Sequence, residues 1–202
     1  MGREIEVKVP VTKNQYDDLF NVLFLKQGEL NGVKVVNSSN ELILKRDEYF
    51  SRYDTREERR AAGEPQVIRI RTEERLGKSE AFFTLKYKTR ENGIELNKED
   101  ETFVQDPSVL REFFQESGYH KFFDKIKKNY SADCVSDIFP GIAYHVELEN
   151  VNELLYVEVE VVQEEGNADI IKRSLFEFIK LLGLDPEKRD IRSWMEILLG
   201  NK

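Results

Sequence analysis

Near the N-terminus, Glu4-Ile5-Glu6-Val7-Lys8 alternates two carboxylates and an ammonium with β-branched residues. Successive side chains of a strand point to opposite faces. Glu4, Glu6 and Lys8 therefore share one face, and Ile5, Val7 and Val9 share the other. Three ionised groups on one face are costly to enclose unless that face is wet or binds something charged. Two carboxylates can hold a divalent cation, and a neighbouring lysine can hold a phosphate. The chemistry that suits this strand is that of a metal-bound phosphate. A single strand of this kind is more simply read as a solvated edge.

The pattern recurs, which weakens the simpler reading. Arg69 and Arg71 flank Ile70, Lys86 and Lys88 flank Tyr87, and Glu99 and Glu101 flank Asp100. Lys125 and Lys127 flank Ile126, Glu147 and Glu149 flank Leu148, and Glu158 and Glu160 flank Val159. Each pair has the spacing that puts both charges on one strand face. So many pairs imply strands closing around a shared polar interior, with basic pairs for a polyanion and acidic pairs for its metal.

The elements that must position these residues follow from punctuation and periodicity. Residues 3–10 read as a strand ended by Pro10. Thr12 then caps a helix whose apolar stripe is Tyr16, Leu19, Phe20, Leu23 and Phe24, a stripe suited to the outside of a barrel. Strands are expected at 41–50, 67–73, 80–88, 95–104, 122–131, 142–149 and 155–163, with Gly77 and Gly93 at two of the turns. The Arg- and Glu-rich stretch 51–66, which contains Pro65, reads as a solvated loop, with a lid over the site as its functional alternative. Asp106-Pro107 opens a second helix with Val109, Leu110, Phe113 and Phe114 as its buried face and Gly118 at its end. A long helix begins at Asn167 or Asp169, carries Ile170, Ile171, Leu175, Phe178, Ile179 and Leu182, and stops at Gly183. A short one covers about 190–199.

Length and composition narrow the function. The 202 residues make one domain, 1–202, with enough chain for a real core. A net charge of −8 argues against a general nucleic-acid or membrane-surface binder. Charged residues are 35% of the chain, as expected if charges line an interior as well as the surface. The one cysteine, Cys134, excludes an internal disulfide and favours a cytoplasmic location. No histidine neighbours it in sequence, so thiol catalysis is unsupported. His120 and His145 lack zinc-type spacing with it; His120 reads as a surface residue and His145 as structural, in phase with Glu147 and Glu149. The N-terminus does not read as a signal peptide, and no apolar stretch approaches the ~20 residues of a membrane span.

Taken in order, these motifs resemble the CYTH superfamily, also called triphosphate tunnel metalloenzymes, over nearly the whole chain. Glu4-Ile5-Glu6-Val7-Lys8 is similar to its ExExK strand, and Asp47-Glu48-Tyr49-Phe50 to its second-strand D-x-Y-F. Ile68-Arg69-Ile70-Arg71 resembles L-R-x-R, Thr84-Leu85-Lys86 resembles T-x-K, and Tyr156-Val157-Glu158-Val159-Glu160 resembles F-x-E-x-E. Ser193-Trp194-Met195-Glu196-Ile197-Leu198 is similar to the S-Y-x-E-L-L ending of the class IV adenylyl cyclase-like branch. There are departures. Asn97 stands where the family often has arginine, and Lys125, Lys127 and Tyr130 stand against K-x-R-x-x-Y. Leu148-Glu149-Asn150-Val151 replaces L-D-x-V, and the next turn, Leu154-Leu155-Tyr156, is about one residue shorter. Lysine cannot make the bidentate phosphate fork of arginine, so these changes bear on substrate choice.

The resemblance implies an α+β fold: an antiparallel, eight-stranded closed β-barrel with a charged interior and helices outside. It implies Mg²⁺ or Mn²⁺ on Glu4, Glu6, Glu149, Glu158 and Glu160. It implies a triphosphate held by Arg69, Arg71, Lys86, Lys88, Lys125 and Lys127, with Lys8, Glu99 and Glu149 as catalytic groups. The expected reaction is class IV adenylyl cyclase-like, ATP to cyclic AMP and pyrophosphate. The alternatives are hydrolysis of inorganic triphosphate, thiamine triphosphate or a nucleoside triphosphate, and non-catalytic binding of a nucleotide or polyphosphate. The cyclase branch also implies a homodimer.

Overall fold

The computed structural model describes residues 3–64, 66–91, 94–163 and 168–200; Pro65, Gly93 and Asn167, three of the expected breakers, lie outside them. Eight strands form one closed antiparallel barrel: β1 Arg3–Pro10, β2 Val33–Ser51, β3 Val67–Arg75, β4 Lys78–Glu91, β5 Ile94–Phe103, β6 His120–Ser136, β7 Ala143–Val151 and β8 Leu154–Gln163. Around the barrel they run β1-β5-β4-β3-β2-β6-β7-β8, and β8 returns to β1. Closure leaves the barrel no open edge. Two hairpins turn on paired left-handed residues: Leu76 and Gly77 at φ 49° and 74°, and Asn152 and Glu153 at φ 49° and 70°. Those are the backbone settings a two-residue hairpin turn with the twist of its strands requires.

The apolar core lies outside the barrel. Ile5, Val7 and Val9 of β1, Val157 and Val159 of β8 and Val146 and Leu148 of β7 point outward. Two helices cover them. Helix α1 (Lys13–Leu23) opens on a capping box in which Thr12 and Gln15 satisfy each other's backbone N–H groups, and it buries Leu19 and Leu23. Helix α4 (Ala168–Leu181) buries Ile171, Leu175, Phe178 and Ile179. Phe178 stacks on Tyr144 with ring centres 3.9 Å apart. Each fully buried side chain of this kind contributes roughly 1.5–3 kcal/mol, so the outer layer holds the barrel shut while charges fill its inside.

Four expectations change. The second strand begins at Val33, not at 41, because β6 runs on to Ser136 and pairs with it there; Asn37, Ser38 and Ser39 pair with Asp133, Ala132 and Ser131 between two register shifts, at Val35/Asn37 and Ser39/Ile43. The 51–66 loop contains helix α2 (Arg56–Ala61), nucleated by a capping box between Thr55 and Glu58. On α3 (Pro107–Glu116) only Phe114 is buried; Val109 and Phe113 are 61% and 60% exposed. The stripe facing β2–β4 is Leu110 and Phe114, and its neighbours are turned about 100° away along a helix of 3.6 residues per turn. Ile170 of α4 is exposed by the same geometry. Helix α5 (Trp194–Leu199) follows a 3-10 turn at Pro186–Lys188. Among the described residues no helix is long and apolar enough to cross a membrane.

Candidate active site

Strand register builds the interior. Going around the barrel, Glu6 lies opposite Glu160 and Lys8 opposite Glu158; Glu158 faces Glu147; Lys127 faces Lys45; Asp47 lies between Lys125 and Arg71; Lys86 faces Glu99. Like charges directly opposite one another destabilise a sheet. Glu6/Glu160, Glu147/Glu158 and Lys45/Lys127 are three such pairs.

Carboxylates gather in two trios, Glu4/Glu6/Glu160 and Glu147/Glu149/Glu158, whose ligand atoms lie within 4.8 Å of one another. In the first, Lys86 lies 3.8 Å from Glu4 and 3.5 Å from Glu6. Burial, then repulsion from Glu99, lifts the Glu4 carboxyl to about 8 against the pull of Lys86. Burial, with Glu147 and Glu6 nearby, also raises Glu160. In the second trio, burial, then Glu149 and Glu6, raises Glu158 to about 8. Lys127 donates to Glu149 and, at 2.9 Å, to Glu147, while Lys45 donates to Glu147 at 2.6 Å. Even so, Oε2 of Glu149 is buried without a hydrogen-bond partner, as is Oδ1 of Asn97 beside Glu6. Clustered oxygen donors, under-compensated and with orphaned acceptors among them, fit a hard divalent cation. The first trio fits best, because Lys86 stands farther from Glu4 and Glu6 than Lys127 stands from Glu147 and Glu149.

The basic groups gather on the facing wall. Arg69 donates to Thr84 Oγ1 at 3.0 Å, Glu101 at 3.1 Å and Glu99 at 3.3 Å. Arg71 grips both oxygens of Asp47, and Lys125 lies 3.4 Å from the same carboxylate. Burial works against the charge of Lys86, but Glu6, Glu99 and Glu4 outweigh it and raise its pKa. Burial, with Lys127 and Arg71 nearby, outweighs the pull of Asp47 and brings Lys125 the other way, to about 7. A cavity of about 630 Å³ opens between these groups and Glu6 and Glu158. That size suits a small organic ligand.

One end of the cavity is aromatic. Tyr49, Phe122, Phe123 and Trp194 line it, with Arg59 and Arg60 of α2. The 51–66 stretch therefore forms part of the cavity wall, with Arg59 4.9 Å over the Phe122 ring. Helix α5 covers this end, where Trp194 closes a small apolar cluster with Val151 and Tyr156.

The structure thus brings Arg69, Arg71, Lys86, Lys125 and Lys127 together around one cavity, with Lys88 at its exposed rim. It divides the five expected metal ligands into Glu4, Glu6 and Glu160 on one side and Glu149 and Glu158 on the other, the latter joined by Glu147. Glu99, expected among the catalytic groups, is held in ion pairs with Lys86 and Arg69. Burial opposes its charge, yet Lys86 and Arg69 bring its carboxyl down to about 2, leaving a weak base. Lys8 is not among the residues that line the cavity; its ammonium donates to the Arg192 carbonyl at 2.7 Å. Glu147 and Lys45 escaped the sequence reading as site residues; the Lys45-Arg46-Asp47 spacing carries the same two-residue signal as the other pairs. His145 sits between Asp133 (2.8 Å) and Glu147 (3.8 Å), and these partners raise its pKa to about 9 although burial opposes it. His120 is exposed beside Asp54. Cys134 is buried in the outer core, and burial, with Asp133, pushes its thiol up to about 12.

Solved structures share this architecture. The PH1819 protein of Pyrococcus horikoshii OT3 superposes with a TM-score of 0.70 at 17% identity, over 98% of this chain and 99% of that one. A candidate adenylate cyclase of Vibrio parahaemolyticus gives 0.66 at 16%, covering 98% of each chain. HpAC1 of Hippeastrum, an adenylyl cyclase candidate with a dominant triphosphatase activity, gives 0.61 at 15%, over 100% of this chain and 97% of that one. No family model and no curated protein matches the chain. Likeness at these identities defines the fold, and the fold is the closed, eight-stranded antiparallel barrel with helices outside that the motifs anticipated.

Proposed function

We propose that this protein is a divalent-metal-dependent enzyme acting on a triphosphate, and that its reaction is the conversion of ATP to cyclic AMP and pyrophosphate. The observation that carries the reading is the cavity between Arg69, Arg71, Lys86, Lys125 and Lys127 on one side and Glu6 and Glu158, one from each carboxylate trio, on the other. The cations would bind the phosphate chain, releasing the carboxylates that now neutralise them. Mg²⁺ or Mn²⁺ held by Glu4, Glu6 and Glu160 would supply charge neutralisation on the phosphates. The aromatic end, with Phe123 and Trp194, favours a substrate that carries a planar organic group over inorganic triphosphate.

In the cyclase reaction the ribose 3′-oxygen attacks the α-phosphorus, the bond from that phosphorus to the bridging oxygen breaks, and pyrophosphate leaves. The hydroxyl proton is assigned to Glu149, whose Oε2 lacks a partner. Arg69 and Lys86 hold the departing pyrophosphate. The second reading is hydrolysis of a triphosphate in the same clamp. It is favoured by the likeness to HpAC1, whose dominant activity is that of a triphosphatase. The two reactions differ in which phosphorus meets a nucleophile.

Product identification separates them. The protein is incubated with Mg²⁺ or Mn²⁺ and, separately, ATP, inorganic triphosphate and thiamine triphosphate. Cyclic AMP with pyrophosphate from ATP supports the cyclase. Orthophosphate without cyclic AMP supports the triphosphatase, and the fastest substrate names it. No product from any of the three counts against both and favours a non-catalytic binder.

A further inference from the structure

Lys8 is a buried ammonium that the phosphate clamp leaves unused. Its Nζ donates to the Arg192 carbonyl at 2.7 Å, and its own carbonyl accepts from the Asp190 N–H at 2.8 Å. Segment 190–192 is thus held to β1 through both main chain and side chain. Asp190 completes the knot. Its Oδ2 accepts from the Tyr156 hydroxyl at 2.9 Å, and the Arg192 guanidinium donates to both its oxygens at 2.9 and 2.7 Å. Two residues further on, the Trp194 indole stands edge-on to Tyr156 with ring centres 4.9 Å apart. The ammonium groups of Lys8 and Lys125 each lie 5.4 Å from its ring centre. Trp194 lines the cavity, and its Nε1 is buried without a hydrogen-bond partner.

A helix of six residues cannot hold its own place, because nucleating one costs more than so few internal hydrogen bonds return. Its position must come from tethers. A charge-assisted hydrogen bond to a carbonyl and a cation over an indole face are two of the stronger ones available. We propose that Lys8 is a positioning residue: it fixes the C-terminal segment so that Trp194 forms the wall against which the organic part of the substrate packs. The proposal rests on the triphosphate reading of the cavity.

Trp194 is the only tryptophan in the chain, so its fluorescence reports the position of this segment directly. In Lys8→Met the emission of the substrate-free protein should shift to longer wavelength and become more accessible to iodide quenching. KM for ATP should rise about tenfold more than KM for inorganic triphosphate, a loss confined to binding of the organic part. Lys8→Arg, which keeps a cationic donor, should recover most of the emission. Tyr156→Phe removes one bond of the same knot and should show a smaller shift, even if Lys8→Met folds poorly. An equal rise in KM for both substrates with wild-type emission would make Lys8 a phosphate ligand and overturn the proposal. Unchanged emission in both Lys8→Met and Tyr156→Phe would overturn the tether whether or not any triphosphate is turned over. Failure of the wild type on every triphosphate would count against the proposed function, while the emission comparison would still decide the tether.

Discussion

Arg71 holds Asp47 from the adjacent strand by two parallel bonds, Nε and Nη2 donating to its two carboxylate oxygens at 2.6 and 3.0 Å. Asp47 is 1% exposed, and Lys125 shares it. Burial opposes its charge, but Arg71 and Lys125 outweigh that and hold its pKa well below the usual range. Removing this carboxylate would leave two buried cations without their closest anion. Asp47→Ala should therefore lose about 3–5 kcal/mol in denaturant unfolding. A loss too small to measure would mean that the tunnel cations are hydrated and not locked to one another.

Glu4 and Glu6 lie in the trio best suited to metal. Glu4→Gln and Glu6→Gln should abolish metal-dependent turnover while circular dichroism and the unfolding midpoint without metal stay close to wild type. The amide keeps the shape, and at Glu4 it removes a charge that burial and Glu99 disfavour. Mn²⁺ should raise the melting temperature of the wild type and not of the variants, since a ligand that binds only the folded state stabilises it. Wild-type rates in both variants would contradict the metal assignment.

Asp190 gives a pH-dependent test at the covered end. Burial raises its carboxyl, but hydrogen bonds from Arg192 and Tyr156 bring it down to about 2 from the ordinary 3.8. An acid whose pKa is lower in the folded state contributes stability that is complete above its unfolded pKa and disappears as pH falls through the folded one. Its Arg192 partner is half exposed, so the contribution is about 1 kcal/mol after screening. Asp190→Asn should cost that amount at pH 7, and the deficit should shrink as pH falls below 3.8 towards 2. A deficit independent of pH would assign the loss to packing.

Phe113 and Phe114 are neighbours with opposite fates. Phe114 is 5% exposed and packs its ring against Phe50, Phe83 and Tyr119, whereas Phe113 is 60% exposed. Phe114→Ala should cost about 3–5 kcal/mol, and Phe113→Ala less than about 0.5 kcal/mol. Equal losses in urea unfolding would restore the four-residue buried face expected from the sequence.

The barrel was legible because its charges repeat every second residue, and that spacing fixes a face without reference to any partner strand. Glu4, Glu6, Arg69, Arg71, Lys86, Glu158 and Glu160 could be placed inside on that basis. What spacing does not carry is register. The separation of the carboxylates into two trios depends on Glu158 facing Glu147 and Glu6 facing Glu160. The first half of β2 was hidden because Asn37-Ser38-Ser39-Asn40 reads as a turn until β6 supplies its hydrogen bonds. Helix α2 left a signal, Thr55 followed three residues later by Glu58, that the surrounding charge run masked. The tether of Lys8 to Arg192 joins residues at opposite ends of the chain, and no local pattern encodes it.

The most direct test of the account is a crystal structure with Mn²⁺ and a non-hydrolysable ATP analogue. Anomalous scattering should place manganese among Glu4, Glu6 and Glu160, with the phosphates against Arg69, Arg71 and Lys86 inside the barrel. Phosphates bound outside the barrel, or a tunnel free of manganese at saturating concentration, would contradict it.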